Sequence, residues 1–289
     1  MVETVVSVEL TIDETFAIKK NHIRPERNKA GKRICIVTGT HGDELEGQFV
    51  CYTLNQKIKE HPEYLEGVVD IYPALNPLGI DSITRGIPGY DLDMNRIFPG
   101  SKEGTMEEYV AAGIVDDIKG ADLCVDIHAS NIFLREIPQI RISEETREQL
   151  VPLAMNMNVD YIWVHAAATV LRSTLAHSLN EVGTPTLVVE MGIWTGPVAE
   201  VRTPVVSTDG AVSFLNAGRS GVFVPTVEHN VTVKKHQRIG MIINPLTGEL
   251  KEQVLAPEDG LLFTLQEYPV VDEGSLIARL LTVKGGGKQ

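Results

Sequence analysis

The segment G-T-H-G-D-E-L-E-G sets His41 and Glu44 three residues apart in a glycine-rich turn. An imidazole and a carboxylate so spaced can converge on one cation. A hydrolytic divalent-metal site commonly takes two histidines and one carboxylate and leaves a position open for water, so a second histidine is required. His128, in V-D-I-H-A-S, supplies it. A single H-x-x-E also reads as a solvated polar turn, and its weight here comes from its company. Glu190 closes the apolar run T-L-V-V-E-M-G, where an ionised carboxylate needs a helix cap, an ion-pair partner or a chemical task.

The loop T-R-G-I-P-G-Y-D-L-D-M-N-R-I-F-P-G is dense in glycine and proline and presents Arg85, Asn95 and Arg96. Loops of this length without elements of their own are commonly tied to function. Arginine is the side chain best shaped to grip a carboxylate through two parallel hydrogen bonds. Asp93, two residues before Asn95, can orient a metal-binding imidazole by accepting its other N–H. Asp126 lies two before His128, on the same strand face, and competes for that role.

These residues need a scaffold that brings distant segments to one edge. R-I-C-I-V-T-G-T (33–40), G-V-V-D-I-Y-P-A-L-N-P (67–77), A-D-L-C-V-D-I-H-A-S (121–130) and T-P-T-L-V-V-E-M-G (184–192) read as strands. Helical patterns fall between them, over about 43–59, 104–120, 143–157 and 170–183. Strand–helix alternation predicts an α/β fold with a mixed, mostly parallel sheet flanked by helices, whose ligands gather at the carboxyl ends of the strands. His41, His128 and Glu190 all stand at such ends. From Gly218 the texture becomes short β-rich runs broken by Gly, Pro, Asn and Asp every 8–12 residues, the rhythm of a small all-β sandwich or barrel. The tail K-G-G-G-K-Q reads as a frayed end.

Taken together, GTHGDELEG, DLDMNRIFPG, DIHAS and VVEMG, in this order between Ile34 and Gly192, resemble the aspartoacylase and succinylglutamate desuccinylase family, relatives of the zinc carboxypeptidases. The resemblance implies a zinc-carboxypeptidase-like catalytic domain over residues 1–217 and a barrel-sandwich, lipoyl-like β-domain over 218–289. It implies one Zn²⁺ per chain held by His41, Glu44 and His128, with Glu190 as general base and proton shuttle. By the same matching, Asn95 and Arg96 grip a substrate carboxylate, and Arg85 polarises the scissile carbonyl. The implied reaction is hydrolysis of the amide bond of a small N-acylated amino acid. Aspartoacylase has a further substrate-binding arginine shortly before its catalytic glutamate, and this chain has none between Arg172 and Glu190. That argues against N-acetylaspartate as substrate and leaves the acyl group open.

Composition bounds the alternatives. The chain of 289 residues is 43% hydrophobic and 22% charged, the balance of a globular protein large enough for two domains. Its net charge of −13 argues against nucleic acid as a partner. No run reaches the ~18 apolar residues of a membrane span, and the acidic start M-V-E-T-V-V-S-V-E-L is unlike a secretory leader. Cys35, Cys51 and Cys124 form no C-x-x-C pair and read as reduced thiols in the cytoplasm. A homo-oligomer is left open. Two other functions fit the same residues: a metallocarboxypeptidase, and a non-catalytic binding protein with a structural metal. No G-x-S-x-G occurs, and Lys234-Lys235 does not sit in the M-K-M hairpin setting of a carrier domain.

Overall fold

The computed structural model describes residues 1–25, 31–90, 92–130, 133–166, 172–192 and 203–282. The K-G-G-G-K-Q tail and the first residues of the helix expected from 170 lie outside the described residues. By compactness the chain forms two units that interleave along the sequence: Met1–Ala129 with Ile140–Met157 and Ala166–Glu190, and Ser130–Gln139 with Asn158–His165 and Met191–Gln289.

The first unit is a mixed α/β structure. Strands β1 (Val2–Glu9), β2 (Thr15–Ile23), β3 (Arg33–Thr38), β4 (Val68–Tyr72) and β5 (Leu123–His128) pair in the order β1-β2-β4-β3-β5, followed by the strand Thr186–Glu190 and then Gln139–Ser143. β3 runs parallel to β4 and β5, and β5 runs parallel to Thr186–Glu190, while β1 and β2 join antiparallel. Register follows from the buried run: Cys35 faces Cys124 and Val37 faces Asp126 across β3 and β5. One residue of slip would turn every such side chain to the other face.

Helices α1 (Glu46–Glu60), α2 (Pro77–Ser82) and α3 (Met106–Ile118) connect the strands. α3 begins at a capping box, Thr105 and Glu108 each bonding the other's backbone N–H, and buries Val110, Ala111, Ile114 and Ile118 at helical spacing. The core they enter includes Ile18, Cys35, Val37, Tyr72 and Leu75.

The second unit carries two antiparallel sheets. One joins 212–216, 276–281, 260–266 and 231–233 in that order, with Leu134–Glu136 pairing on 260–266; the other joins 250–255, 238–243, 221–225 and 270–271. Their alternating inward residues build a core around Phe223, Ile239, Ile242, Leu262 and Leu280. No helix among the described residues is long and apolar enough to cross a membrane. Cys35, Cys51 and Cys124 are free and buried, and burial pushes the thiols of Cys35 and Cys51 up to about 11 and about 12.

Candidate functional site

β3 ends at Thr38, and the chain turns at Gly39, whose φ of +69° is a left-handed conformation that glycine adopts at no steric cost. The turn is tied to the segment after β4 by Leu75 N donating to Thr38 O at 3.1 Å and Asn76 N to Gly39 O at 2.7 Å. Gly42 packs directly on Gly79 of α2, where a Cβ would overlap the Gly79 carbonyl. These contacts fix the backbone that carries His41 and Glu44.

At the carboxyl edge of the sheet three side chains converge. His41 Nδ1 lies 2.8 Å from Glu44 Oε1, His128 Nδ1 lies 3.0 Å from Glu44 Oε2, and the two Nδ1 atoms are 3.2 Å apart. All three residues are buried. Donors at about 2.0–2.2 Å around a tetrahedral ion are separated by about 3.3 Å, so the spacing suits one cation. The three form a candidate metal site.

Each imidazole turns its other nitrogen to a carboxylate. His41 Nε2 is 3.1 Å from Asp93 Oδ1, and His128 Nε2 is 3.2 Å from Asp126 Oδ2. The two aspartates that compete for one role in the sequence therefore each meet their own histidine. Asp93 also accepts from Asn95 N at 2.8 Å, capping the short 3₁₀ turn Met94–Arg96. Glu44 takes two further donors, Ala129 N at 3.1 Å and Arg85 Nη1 at 3.2 Å, and Arg85 Nε reaches Asp93 Oδ2 at 3.3 Å.

Electrostatics follow from this packing. Burial disfavours the charged imidazole of His41, but the hydrogen bonds to Asp93 and Glu44 outweigh it and raise its pKa. His128 is likewise raised, well above the ordinary value, by Asp126 and Glu44 against the cost of burial. Burial would push Glu44 up, yet the two imidazoles hold its carboxyl well below the usual range, and His41 does the same for Asp93. The donor set thus favours positive charge at its centre.

The remaining expected residues are placed as follows. Asn95 is buried and its Oδ1 accepts from Leu175 N at 2.9 Å, at the first turn of the helix Leu175–Glu181. That bond leaves its amide nitrogen as the donor end. Arg96 is exposed and its Nη1 donates to Asn95 O at 2.7 Å. Glu190 is in register with His128 across the parallel strands. Its Oε1 lies 3.0 Å from Arg141 Nη1, so the ion pair expected as one role for this carboxylate is present. Arg141 did not stand out in the sequence. It sits 49 residues upstream in I-R-I-S, with alternation as the sole local signal.

An open α/β sheet with a His–Glu–His cluster at its carboxyl edge, each imidazole backed by a carboxylate, defines an α/β protein with a candidate metal centre. The chain belongs to the succinylglutamate desuccinylase/aspartoacylase family, whose catalytic-domain model matches residues 30–203. The family is one of deacylases. The N-alpha-acetyl-L-2,4-diaminobutyric acid deacetylase of Halomonas elongata is 28% identical over 109 residues, 37% of this chain and 31% of that protein. The match therefore spans about a third of the relative's length. Among solved structures, the product-bound ectoine utilization protein EutE (DoeB) of Ruegeria pomeroyi superposes with a TM-score of 0.81 at 19% identity, covering 98% of this chain and 95% of that one. The succinylglutamate desuccinylase/aspartoacylase of Rhodobacter sphaeroides gives 0.77 at 20% identity, covering 97% and 95%. At these identities the likeness establishes the fold.

Proposed function

We propose that the protein is a zinc-dependent deacylase that hydrolyses the amide bond of a small N-acylated amino acid. The observation that carries this reading is the convergence of His41 Nδ1, His128 Nδ1 and the Glu44 carboxylate within 2.8–3.2 Å of one another, in a chain of a deacylase family. Two neutral imidazoles and one carboxylate suit Zn²⁺. When bound, the ion supplies the Lewis acidity that makes a hydrolytic nucleophile accessible near neutral pH.

The chain's own residues do the rest. Glu190 accepts the proton of the attacking water and returns it to the leaving amine. Arg85, about two-fifths exposed beside Glu44, meets the negative charge that develops on the carbonyl oxygen. The Asn95 amide nitrogen and the Arg96 guanidinium take the substrate carboxylate, which removes orientational freedom before the bond breaks. A chain of net charge −13 repels anions at long range. Arg85 and Arg96, beside the cation that His41, Glu44 and His128 would hold, would supply the local positive region that a small acid requires. Asp93 and Asp126 orient the imidazoles and raise their basicity. The two antiparallel sheets support the barrel-sandwich reading of residues 218–289.

The test is a screen of zinc-loaded protein against N-acetyl, N-succinyl and N-formyl amino acids, with metal analysis alongside. About one Zn per chain is expected, and Glu190→Gln should keep its metal and lose roughly 10²-fold or more in kcat. Full activity in metal-free wild type would sink the reading. Release of C-terminal residues from a long peptide would favour a carboxypeptidase instead.

A further inference from the structure

Glu190 is the last residue of its strand, where a side chain has few neighbours of its own strand to hold it. One partner of its carboxylate is Arg141 on the strand Gln139–Ser143, which is next in the sheet. Ile140 and Ile142, on either side of Arg141, are essentially fully buried. Alternation along a strand therefore sends Arg141 to the opposite face. On the neighbouring strand the same rule buries Leu187 and Val189 and sends Glu190 the other way. Both directions are set by buried aliphatic pairs, and the two charged groups meet with Arg141 Nη1 3.0 Å from Glu190 Oε1. Their side chains are 24% and 12% exposed, so the contact is sheltered from most of the solvent.

The other arginines of the site are committed elsewhere, Arg85 to Glu44 and Asp93, and Arg96 to the Asn95 carbonyl. We infer that Arg141 is a positioning residue for Glu190: it holds the carboxylate through Oε1 and fixes the direction in which that group meets the water to be deprotonated. This rests on Glu190 serving as the general base. Arginine suits the task because its planar guanidinium offers donors in a fixed fork, whereas a lysine ammonium at the same place holds a point without an orientation. A misplacement of about 1 Å in a reacting group costs on the order of 10²-fold in rate.

The experiment compares wild type, Arg141→Met, Arg141→Lys and Glu190→Gln, all zinc-loaded, on the N-acyl amino acid of the screen that turns over fastest, with crystal structures of wild type and Arg141→Met. The expected result for Arg141→Met is a 10–100-fold loss in kcat, KM within about threefold, unchanged zinc content and a Glu190 carboxylate rotated from its wild-type direction while Ile140 and Ile142 stay in place. Arg141→Lys should recover part of the lost kcat. Unchanged kcat in Arg141→Met, a Glu190 that keeps its orientation, or a loss confined to KM would overturn the inference. The two ideas fail separately: an active Glu190→Gln removes the general base itself, whereas an inactive Glu190→Gln beside a fully active Arg141→Met removes only the positioning role.

Discussion

His41 and His128, 87 residues apart in sequence, face each other through Nδ1 atoms 3.2 Å apart, with the Glu44 carboxylate closing the triangle. Two imidazole nitrogens at that distance need a proton or a cation between them. Asp93 and Asp126 lie 3.1 and 3.2 Å from the two Nε2 atoms, and in the proposed reading these carboxylates make each ring a better ligand. Asp93→Asn and Asp126→Asn should therefore each weaken zinc binding by about 10–100-fold while leaving the donor set intact. Competition with a chelator of known affinity measures this. Equal affinity in wild type and both variants would remove the second layer from the site.

The backbone beneath His41 is as constrained as its ring. Because Gly42 rests on the Gly79 carbonyl, a methyl group there must push the turn and α2 apart. Gly42→Ala should lose about 1–3 kcal/mol in denaturant unfolding, and its zinc affinity should fall along with stability. A variant with wild-type stability and zinc affinity would show that the contact is looser than it looks.

What the sequence disclosed, and what it hid, divide along physical lines. The central parallel strands were legible because they are buried on both faces and read as continuous apolar runs, R-I-C-I-V-T and T-L-V-V-E among them. His41, Glu44 and His128, which converge at the ends of these strands, were legible because polar residues after such runs stand out. The N-terminal hairpin was not, although Phe16 and Ile18 alternate with exposed or half-buried neighbours. Its turn places Ile12 at φ 69° and Asp13 at φ 59°, positions where Asn-Gly or Asp-Gly would have announced it. Arg141 was hidden for a different reason: its meaning lies in a neighbour 49 residues away on another strand. A change of texture at residue 218 likewise gives no hint that Ser130–Gln139 groups with the C-terminal residues, since Leu134–Glu136 pairs with 260–266 across more than 120 residues.

The observed bond of Asn95 to Leu175 and its proposed part in substrate binding can be separated by variants. Its Oδ1 satisfies the Leu175 N–H, a buried donor at a helix start. Asn95→Ala strands that N–H and should cost about 1–3 kcal/mol. Asn95→Asp keeps an acceptor for Leu175 but replaces the amide nitrogen with a second carboxylate oxygen. Its stability should stay within about 1 kcal/mol of wild type, while KM for a carboxylate-bearing substrate rises about tenfold or more through like-charge repulsion. A KM unchanged in Asn95→Asp would take Asn95 out of substrate recognition.

Away from the site, Asp70 is a fully buried carboxylate held by Arg33 Nε at 2.8 Å, His22 Nδ1 at 2.5 Å and Lys20 Nζ at 3.6 Å. Burial would raise its pKa, but the bonds from Arg33 and His22 and the Lys20 charge prevail and lower it. A carboxyl depressed in the folded state contributes stability above its unfolded pKa of about 3.9, and that contribution is lost as pH falls toward the folded value. Asp70→Asn should cost about 2–3 kcal/mol at pH 7. This is less than a sealed ion pair would lose, because Arg33 is 26% exposed and its Nη2 keeps the Asp117 carbonyl at 2.6 Å. Denaturant unfolding of the chelator-treated protein at pH 7, 5 and 3 should show the gap between wild type and variant narrowing toward acid. A gap constant across that range would mean that Asp70 titrates alike in the folded and unfolded chain, and that the cluster stabilises by packing and hydrogen bonding without a net charge contribution.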